Sequence, residues 1–239
     1  MALMAVAVLC RSLHFDLAKG MADEKVLSYN DVVLRQADLD ILSGPHFLND
    51  RIIEFYLSYL SSRRAAEDIL FVPPSIAFWI KECPDTASLE EFLKPLNLPN
   101  RELVLFPIND NIDVSFAEGG NHWSLLAFRR SAKVFIHHDS SSSCMNSSHA
   151  SRLYRAIFPY ISDGVTYMEC SNTPKQVNGH DCGLYVIAFA RAICNWYEHT
   201  TPKDKKRWWF SDLEHITPSA ISELRSEILE LIRSLMVKH

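Results

Sequence analysis

The chain has 239 residues, 48% of them hydrophobic, and sets 24 basic against 29 acidic side chains for a formal charge of −5. That length and apolar fraction suffice for one sizeable core, and a mildly acidic chain without a basic stripe excludes nucleic acid as its main partner. No apolar run approaches the roughly 18 residues of a membrane span.

The six cysteines, Cys10, Cys83, Cys144, Cys170, Cys182 and Cys194, contain no C-x-x-C pair. They read as free thiols in a reducing compartment. Residues 1–20 carry the apolar stretch from Ala2 to Cys10 with no leading Lys or Arg, so a secretory signal is disfavoured. They read as a disordered or alternative-start extension ahead of Met21, and residues 21–239 as a single domain. The one basic cluster, Lys203, Lys205, Lys206 and Arg207, reads as a solvated loop.

In chain order, Asn49 is placed to cap a helix whose apolar residues Ile52, Ile53, Phe55, Tyr56, Leu57, Tyr59 and Leu60 recur at helical spacing, with Phe47 as a hydrophobic staple. Pro73-Pro74-Ser75 opens a second helix through Trp79. Ser88 and Glu91 form a capping box for a third, which stops at Pro95. The period then changes, and strands are expected at Leu103–Ile108, His122–Phe128, Val134–His138 and Val165–Glu169. A helix over Ser148–Ile161 falls between the last two, with Leu153, Ile157 and Phe158 inward. The run from Leu184 to Ala190 predicts a helix buried on most sides, with Cys182 in its first turn. Trp208-Trp209-Phe210 is expected to pack down an otherwise polar connection. Thr217-Pro218 starts the last helix, whose Ile221, Leu224, Ile228, Leu231, Ile232 and Leu235 form one stripe. Helices at both ends with strands between predict an α+β domain.

Backbone N–H groups in a first helical turn lack carbonyl partners and carry partial positive charge, so a cysteine there favours thiolate over thiol. Cys182 becomes a nucleophile if a base and an oxyanion donor stand nearby. The strands beginning at His122 and ending at Asp139 are joined by a short link, so they form an antiparallel hairpin. A turn centred between Arg130 and Ser131 puts His122 opposite Asp139, Trp123 opposite His138 and Ser124 opposite His137. Asp139 would then orient the imidazole of His122, which would serve Cys182 as base and later as acid. His137 and His138 have no acid in that register and read as structural. A zinc site from His122, His137, His138 and Cys182 is disfavoured, because consecutive strand residues point to opposite faces. Gln176, six residues before Cys182, can turn back at Asn178-Gly179 and add its amide to the Cys182 N–H around an oxyanion. Asp181 reads as a helix cap or first-turn charge.

His122-Trp123, Asp139-Ser140 and Gln176-Val177-Asn178-Gly179-His180-Asp181-Cys182-Gly183 together resemble the ubiquitin-like-specific cysteine proteases, the Ulp/sentrin-protease family. Within it the chain is most similar to the deneddylases, on Val26-Leu27-Ser28-Tyr29, Leu34-Arg35-Gln36, Leu48-Asn49-Asp50, residues 92–100, Ile108-Asn109-Asp110-Asn111 and residues 119–126. The resemblance implies a papain-like α+β fold with a central mixed or antiparallel sheet flanked by helices. It implies a monomer of the cytoplasm or nucleus that uses no cofactor or metal and cleaves after the C-terminal Gly-Gly of a Nedd-type (Rub) modifier. Both precursor maturation and release from conjugates such as cullins would follow. His122, Asp139, Cys182 and Gln176 take the catalytic places. Trp123, Asp50, Phe47 and Asn109 take places that contact the modifier: Trp123 roofs a tunnel that admits only glycine, and Asp50 meets a basic residue of the tail. Phe47 stands where relatives have tryptophan, Lys175 where they have glutamine, and the stretch 199–215 is long. A SUMO-type protease would use the same residues. A catalytically silent modifier-binding module would not need an aligned acid and base, and an acyltransferase on a related scaffold would share the three catalytic groups.

Overall fold

The structure, a computed structural model, describes residues 24–64, 68–115, 119–161, 163–200 and 208–237. The expectations for residues 1–20 and for the basic cluster at 203–207 lie outside the described residues.

A hairpin of β1 (Lys25–Tyr29) and β2 (Val32–Arg35) leads into α1 (Gln36–Ser43) and α2 (Asp50–Ser62). Strand β3 (Ile69–Phe71), α3 (Pro74–Glu82) and α4 (Thr86–Leu93) follow. Next come β4 (Leu103–Asn109), β5 (Trp123–Arg129), β6 (Val134–His138), α5 (Ser147–Ile157) and β7 (Thr166–Glu169). The chain ends with α6 (Cys182–His199), the short α7 (Phe210–Leu213) and α8 (Pro218–Met236).

Five strands form one sheet in the order β3-β4-β5-β6-β7. The outer pairs are parallel and the two inner pairs antiparallel, so the sheet is mixed and the fold α+β. Its central strands are hydrophobic on both faces because both are covered. Leu103, Leu105, Leu125, Ala127 and Ile136 face a core built with α2, α6 and α8, while Val104, Phe106, Leu126, Phe128 and Phe135 face α3, α4 and α5. Side chains alternate along each strand, which is how one strand feeds two cores. Helix α6 lies in the first of these, with every residue from Cys182 to Ala190 buried. Among the described residues no helix is long and apolar enough to cross a membrane.

Several local expectations hold. Asn49 Oδ1 accepts the Ile52 N–H at 3.1 Å, and Thr217 Oγ1 accepts that of Ala220 at 3.2 Å with Pro218 behind it. Trp209 is fully buried against Trp196 and His138, and the Arg129 guanidinium lies 5.0 Å from the rings of both Trp196 and Trp208.

Others need correcting. Phe47 is 50% exposed and staples nothing; Leu48, one place nearer the cap, is buried beside Ile53 and Gly183. Helix α4 begins before Ser88 because Asp85 captures the Ser88 N–H at 2.8 Å, pre-empting the capping box. Helix α5 closes at Ile157 in a 3₁₀ turn at Phe158–Tyr160, since Pro159 removes an N–H.

Candidate active site

Strands β5 and β6 pair with Leu125 opposite His138 and Arg129 opposite Val134, two residues away from the register expected of a centred turn. The connection is longer than a two-residue turn: Arg130–Ala132 form a 3₁₀ turn and Lys133 adopts φ +51°. A shift of two keeps every side chain on its face, whereas a shift of one would have reversed them. Sheet twist then brings diagonal neighbours together. His122 Nε2 lies 2.6 Å from Asp139 Oδ1, and Ser124 Oγ lies 2.9 Å from His137 Nε2. Two of the three expected side-chain pairs form although the backbone register differs; the third does not, since His138 turns to Trp209 and Thr173 while the Trp123 indole donates to Leu48 O.

Cys182 opens α6, fully buried, and its side chain lies close enough to His122 to raise that ring's proton affinity. An ionised carboxylate only accepts hydrogen bonds, so the His122 Nε2 beside Asp139 carries a proton, which leaves Nδ1 as the nitrogen able to act as base. Burial pulls the His122 pKa down, but hydrogen bonds to Asp139 and Cys182, with their charges, outweigh it and raise it to about 9. Burial raises the Asp139 carboxyl; the His122 hydrogen bond and the N–H groups of Asn146 and Ser141 prevail and hold it below its ordinary value. Imidazole and carboxylate are thus hydrogen-bonded, and the thiol stands beside the imidazole at the N-terminus of α6.

Gln176 is fixed to the Asp139 strand end. Its N–H donates to Ser140 O at 2.9 Å, its Oε1 accepts from Ser140 Oγ at 2.7 Å, and its Nε2 donates to Asn178 O at 2.8 Å. Lys175 strengthens the same seam, its Nζ donating to Asp139 O at 2.9 Å and Ser141 O at 3.0 Å. Asp181 precedes α6 but caps no N–H with its side chain. Its carboxylate accepts instead from Asn178 Nδ2 and from Arg225 of α8.

The two other histidines of β6 do have partners, from elements beyond the hairpin. His137 Nδ1 lies 2.6 Å from Glu169 Oε2 on β7, the acid missing from the hairpin alone. His138 Nε2 accepts the Trp209 indole N–H at 3.0 Å while its Nδ1 faces Thr173 Oγ1 at 3.2 Å. Among the described residues no group of three or more His, Cys, Asp or Glu could hold a metal ion.

Phe47, Asp50, Asn109 and Trp123 line one cleft of about 460 Å³, together with Trp79 and Gly120. Trp123 Nε1 donates to Leu48 O at 3.0 Å, and Leu48 packs so close to Gly183 that a Cβ there would meet its Cβ at 2.8 Å. Indole and Leu48 therefore connect the cleft to the start of α6, where Cys182 lies. Gly120 sits at φ +88°, where an added Cβ would lie 2.0 Å from Asn109 Oδ1; only glycine fits this rim.

Two positioning residues escaped the sequence reading. Asp110 Oδ1 accepts the N–H groups of Asn121 at 2.6 Å and His122 at 3.0 Å. The buried Asn146 donates its N–H to Asp139 Oδ2 at 3.0 Å and its side-chain amide to Ile108 O and His122 O. Asn146 stands just before α5, where an asparagine reads as an ordinary helix-start residue. Nothing local says that it binds both members of a pair.

A profile of the Ulp1 protease family, C-terminal catalytic domain, matches residues 46–215. The chain belongs to the Ulp1 protease family. Among curated relatives in that Ulp1 family, NEDD8-specific protease 1 of Arabidopsis thaliana is 50% identical over 215 residues, covering 90% of this chain and 95% of that one. Sentrin-specific protease 8 of Homo sapiens is 35% identical over 223 residues, covering 90% of this chain and 100% of its own. Among solved structures, the C-terminal Ulp1 protease domain in complex with Smt3, the yeast ortholog of SUMO, superposes with a TM-score of 0.64 at 18% identity. It covers 92% of this chain and 93% of that one. That likeness establishes the Ulp1 fold.

Proposed function

We propose that the chain is a thiol protease that cleaves after the C-terminal Gly-Gly of a NEDD8-type modifier, maturing its precursor and releasing it from conjugates such as cullins. The observation that carries the chemistry is the line Cys182–His122–Asp139, with His122 Nε2 2.6 Å from the carboxylate. The relatives named for NEDD8, one at 50% identity over nearly the whole chain, support the choice of modifier. The SUMO-protease structures stand at 18% identity and below among those compared, and speak for the scaffold alone.

In this reading the modifier tail lies in the cleft of Phe47, Asp50, Asn109 and Trp123, its terminal glycines passing under the Trp123 indole. Glycine is selected because any larger side chain would displace the Trp123–Leu48 wall. Cys182 Sγ attacks the final glycine carbonyl. The oxyanion receives the Cys182 N–H and the Gln176 amide, of whose two protons Asn178 O takes one. The imidazolium of His122 protonates the leaving amine, then takes a proton from the water that hydrolyses the thioester, while Asp139 keeps the ring oriented. Asp50 faces a basic residue of the tail, in keeping with the chain's net negative charge. The working unit is residues 21–239 acting as a monomer in the cytoplasm or nucleus, a setting with which the free cysteines agree.

Tail-electrophile probes built on NEDD8, SUMO and ubiquitin test this by intact mass. The reading expects a single adduct at Cys182 that forms fastest with the NEDD8 probe. Folded protein without an adduct would overturn the chemistry, and preference for SUMO would overturn the substrate.

A further inference from the structure

The family profile ends at residue 215, before α8 begins at Pro218. Yet α8 sends one side chain to the edge of the candidate site. Arg225 Nη1 donates to Ile41 O at 3.1 Å and Gly44 O at 3.0 Å. Its Nη2 donates to His46 O at 3.0 Å and to Asp181 Oδ1 at 2.8 Å. The guanidinium is largely buried, with 13% of its side chain exposed, and Asp181 with 9%.

These acceptors belong to two separate segments. Ile41 in the last turn of α1, with Gly44 and His46 just beyond it, leads straight into Phe47 and Leu48, one wall of the cleft. Asp181 immediately precedes Cys182 and is also held by Asn178, whose carbonyl binds the Gln176 amide. A planar fork with fixed donors sets the separation and angle of both segments at once, which a flexible ammonium cannot.

We propose that Arg225 is a positioning residue for tail binding: through its fork it holds the Phe47–Leu48 wall in register with the Cys182 helix start. It touches neither sulfur nor substrate. Its effect passes through Leu48, which packs on Gly183 and accepts the Trp123 indole. The proposal rests on the reading of Cys182 as nucleophile and of this cleft as the tail site.

The test is steady-state cleavage of a NEDD8 fusion by Arg225→Met, Arg225→Lys and Asp181→Asn, with the active fraction counted by probe titration and Cys182→Ala alongside. We expect Arg225→Met to raise KM about tenfold or more per active site, with kcat within about threefold of the parent. Arg225→Lys should give a KM increase of the same order, because it keeps charge but loses the fork, and it supplies the measurement if Arg225→Met does not fold. Asp181→Asn should give a smaller rise, and adding it to Arg225→Met should cost little more, since the pair acts as a unit. A merely structural Arg225 would reduce the active fraction and leave KM per active site unchanged, which would overturn the proposal. Activity surviving in Cys182→Ala would instead remove the functional reading beneath it.

Discussion

His122, just before β5, and His138, at the end of the paired β6, are both almost wholly shielded from water, and their imidazoles are driven in opposite directions. Burial pulls both down. At His122 the carboxylate of Asp139 and the thiol of Cys182 reverse the effect and lift the pKa to about 9. At His138 burial wins, with the neighbouring His137 adding to it and Glu169 opposing, and the pKa falls to about 3. The indole N–H of Trp209 points at His138 Nε2, and an indole only donates, so that nitrogen must stay unprotonated. An imidazole buried between an acid and a thiol is built to hold a proton; one buried between an indole and a hydroxyl is built to refuse it. Side-chain direction makes the difference, because His138 faces Phe189 of α6 while Asp139, one residue on, turns to the other side and meets His122.

The largest effect should separate the two rings outright. His122→Ala should lower kcat by about 10³-fold or more on a NEDD8 fusion, whereas His138→Gln should keep kcat within a few-fold, both read by initial rates. Comparable losses from the two would erase the contrast.

Asp139→Asn comes next. It leaves the shape but removes the charge that raises His122, so kcat should drop about 10²-fold or more and the alkaline limb of its pH profile should move down from about 9. An unmoved limb would show that Asp139 does not set the proton affinity of His122.

Stability against pH carries the same contrast with opposite signs. His122 binds its proton more tightly folded than unfolded, so its contribution is complete below its unfolded pKa of about 6.5 and is lost as pH rises through about 9. His138 binds its proton less tightly folded, so its contribution is complete above about 6.5 and is lost as pH falls toward about 3. His138→Gln should therefore flatten the acid side of a denaturation-midpoint profile, by at most about 1.4 kcal/mol per pH unit for one proton, and leave the alkaline side alone.

The smallest effect is Trp209→Phe, which removes the donor that fixes the His138 tautomer. It should cost about 1–3 kcal/mol through the orphaned His138 Nε2 and lost packing, with kcat unchanged. A large kcat loss would mean that the two regions communicate.

How much of this was legible follows from the range of each signal. The start of α2 at Asn49, the buried character of α6 and the β4–β6 strands could be read because capping and periodicity are local. The β1–β2 hairpin carried a local signal too, Asn30-Asp31 between apolar runs with Asn30 at φ +50°, but it went unread. The β5–β6 register went wrong by two because a 3₁₀ turn ending in a left-handed Lys133 looks in sequence like a shorter link. The site survived that error because two is the strand period. Glu169 for His137, Asn146 for the His122–Asp139 pair and Arg225 for Asp181 are contacts made by tertiary packing, 24 to 44 residues apart for the pairs His122–Asn146, His137–Glu169 and Asp181–Arg225. No spacing rule reaches that far. Lys175 shows the same: its ammonium lies between the carbonyls of Asp139 and Ser141, a role that no local pattern announces.

The most direct measurement is an NMR titration of both imidazoles in the parent, Asp139→Asn and Cys182→Ala proteins. The account predicts that His122 in the parent stays protonated to about pH 9 and loses that affinity in both variants, while His138 remains neutral throughout the range in which the protein is folded. A His122 that titrates near its ordinary 6.5 in the parent and does not respond to loss of the carboxylate or the thiol would contradict the relay on which the proposed chemistry depends.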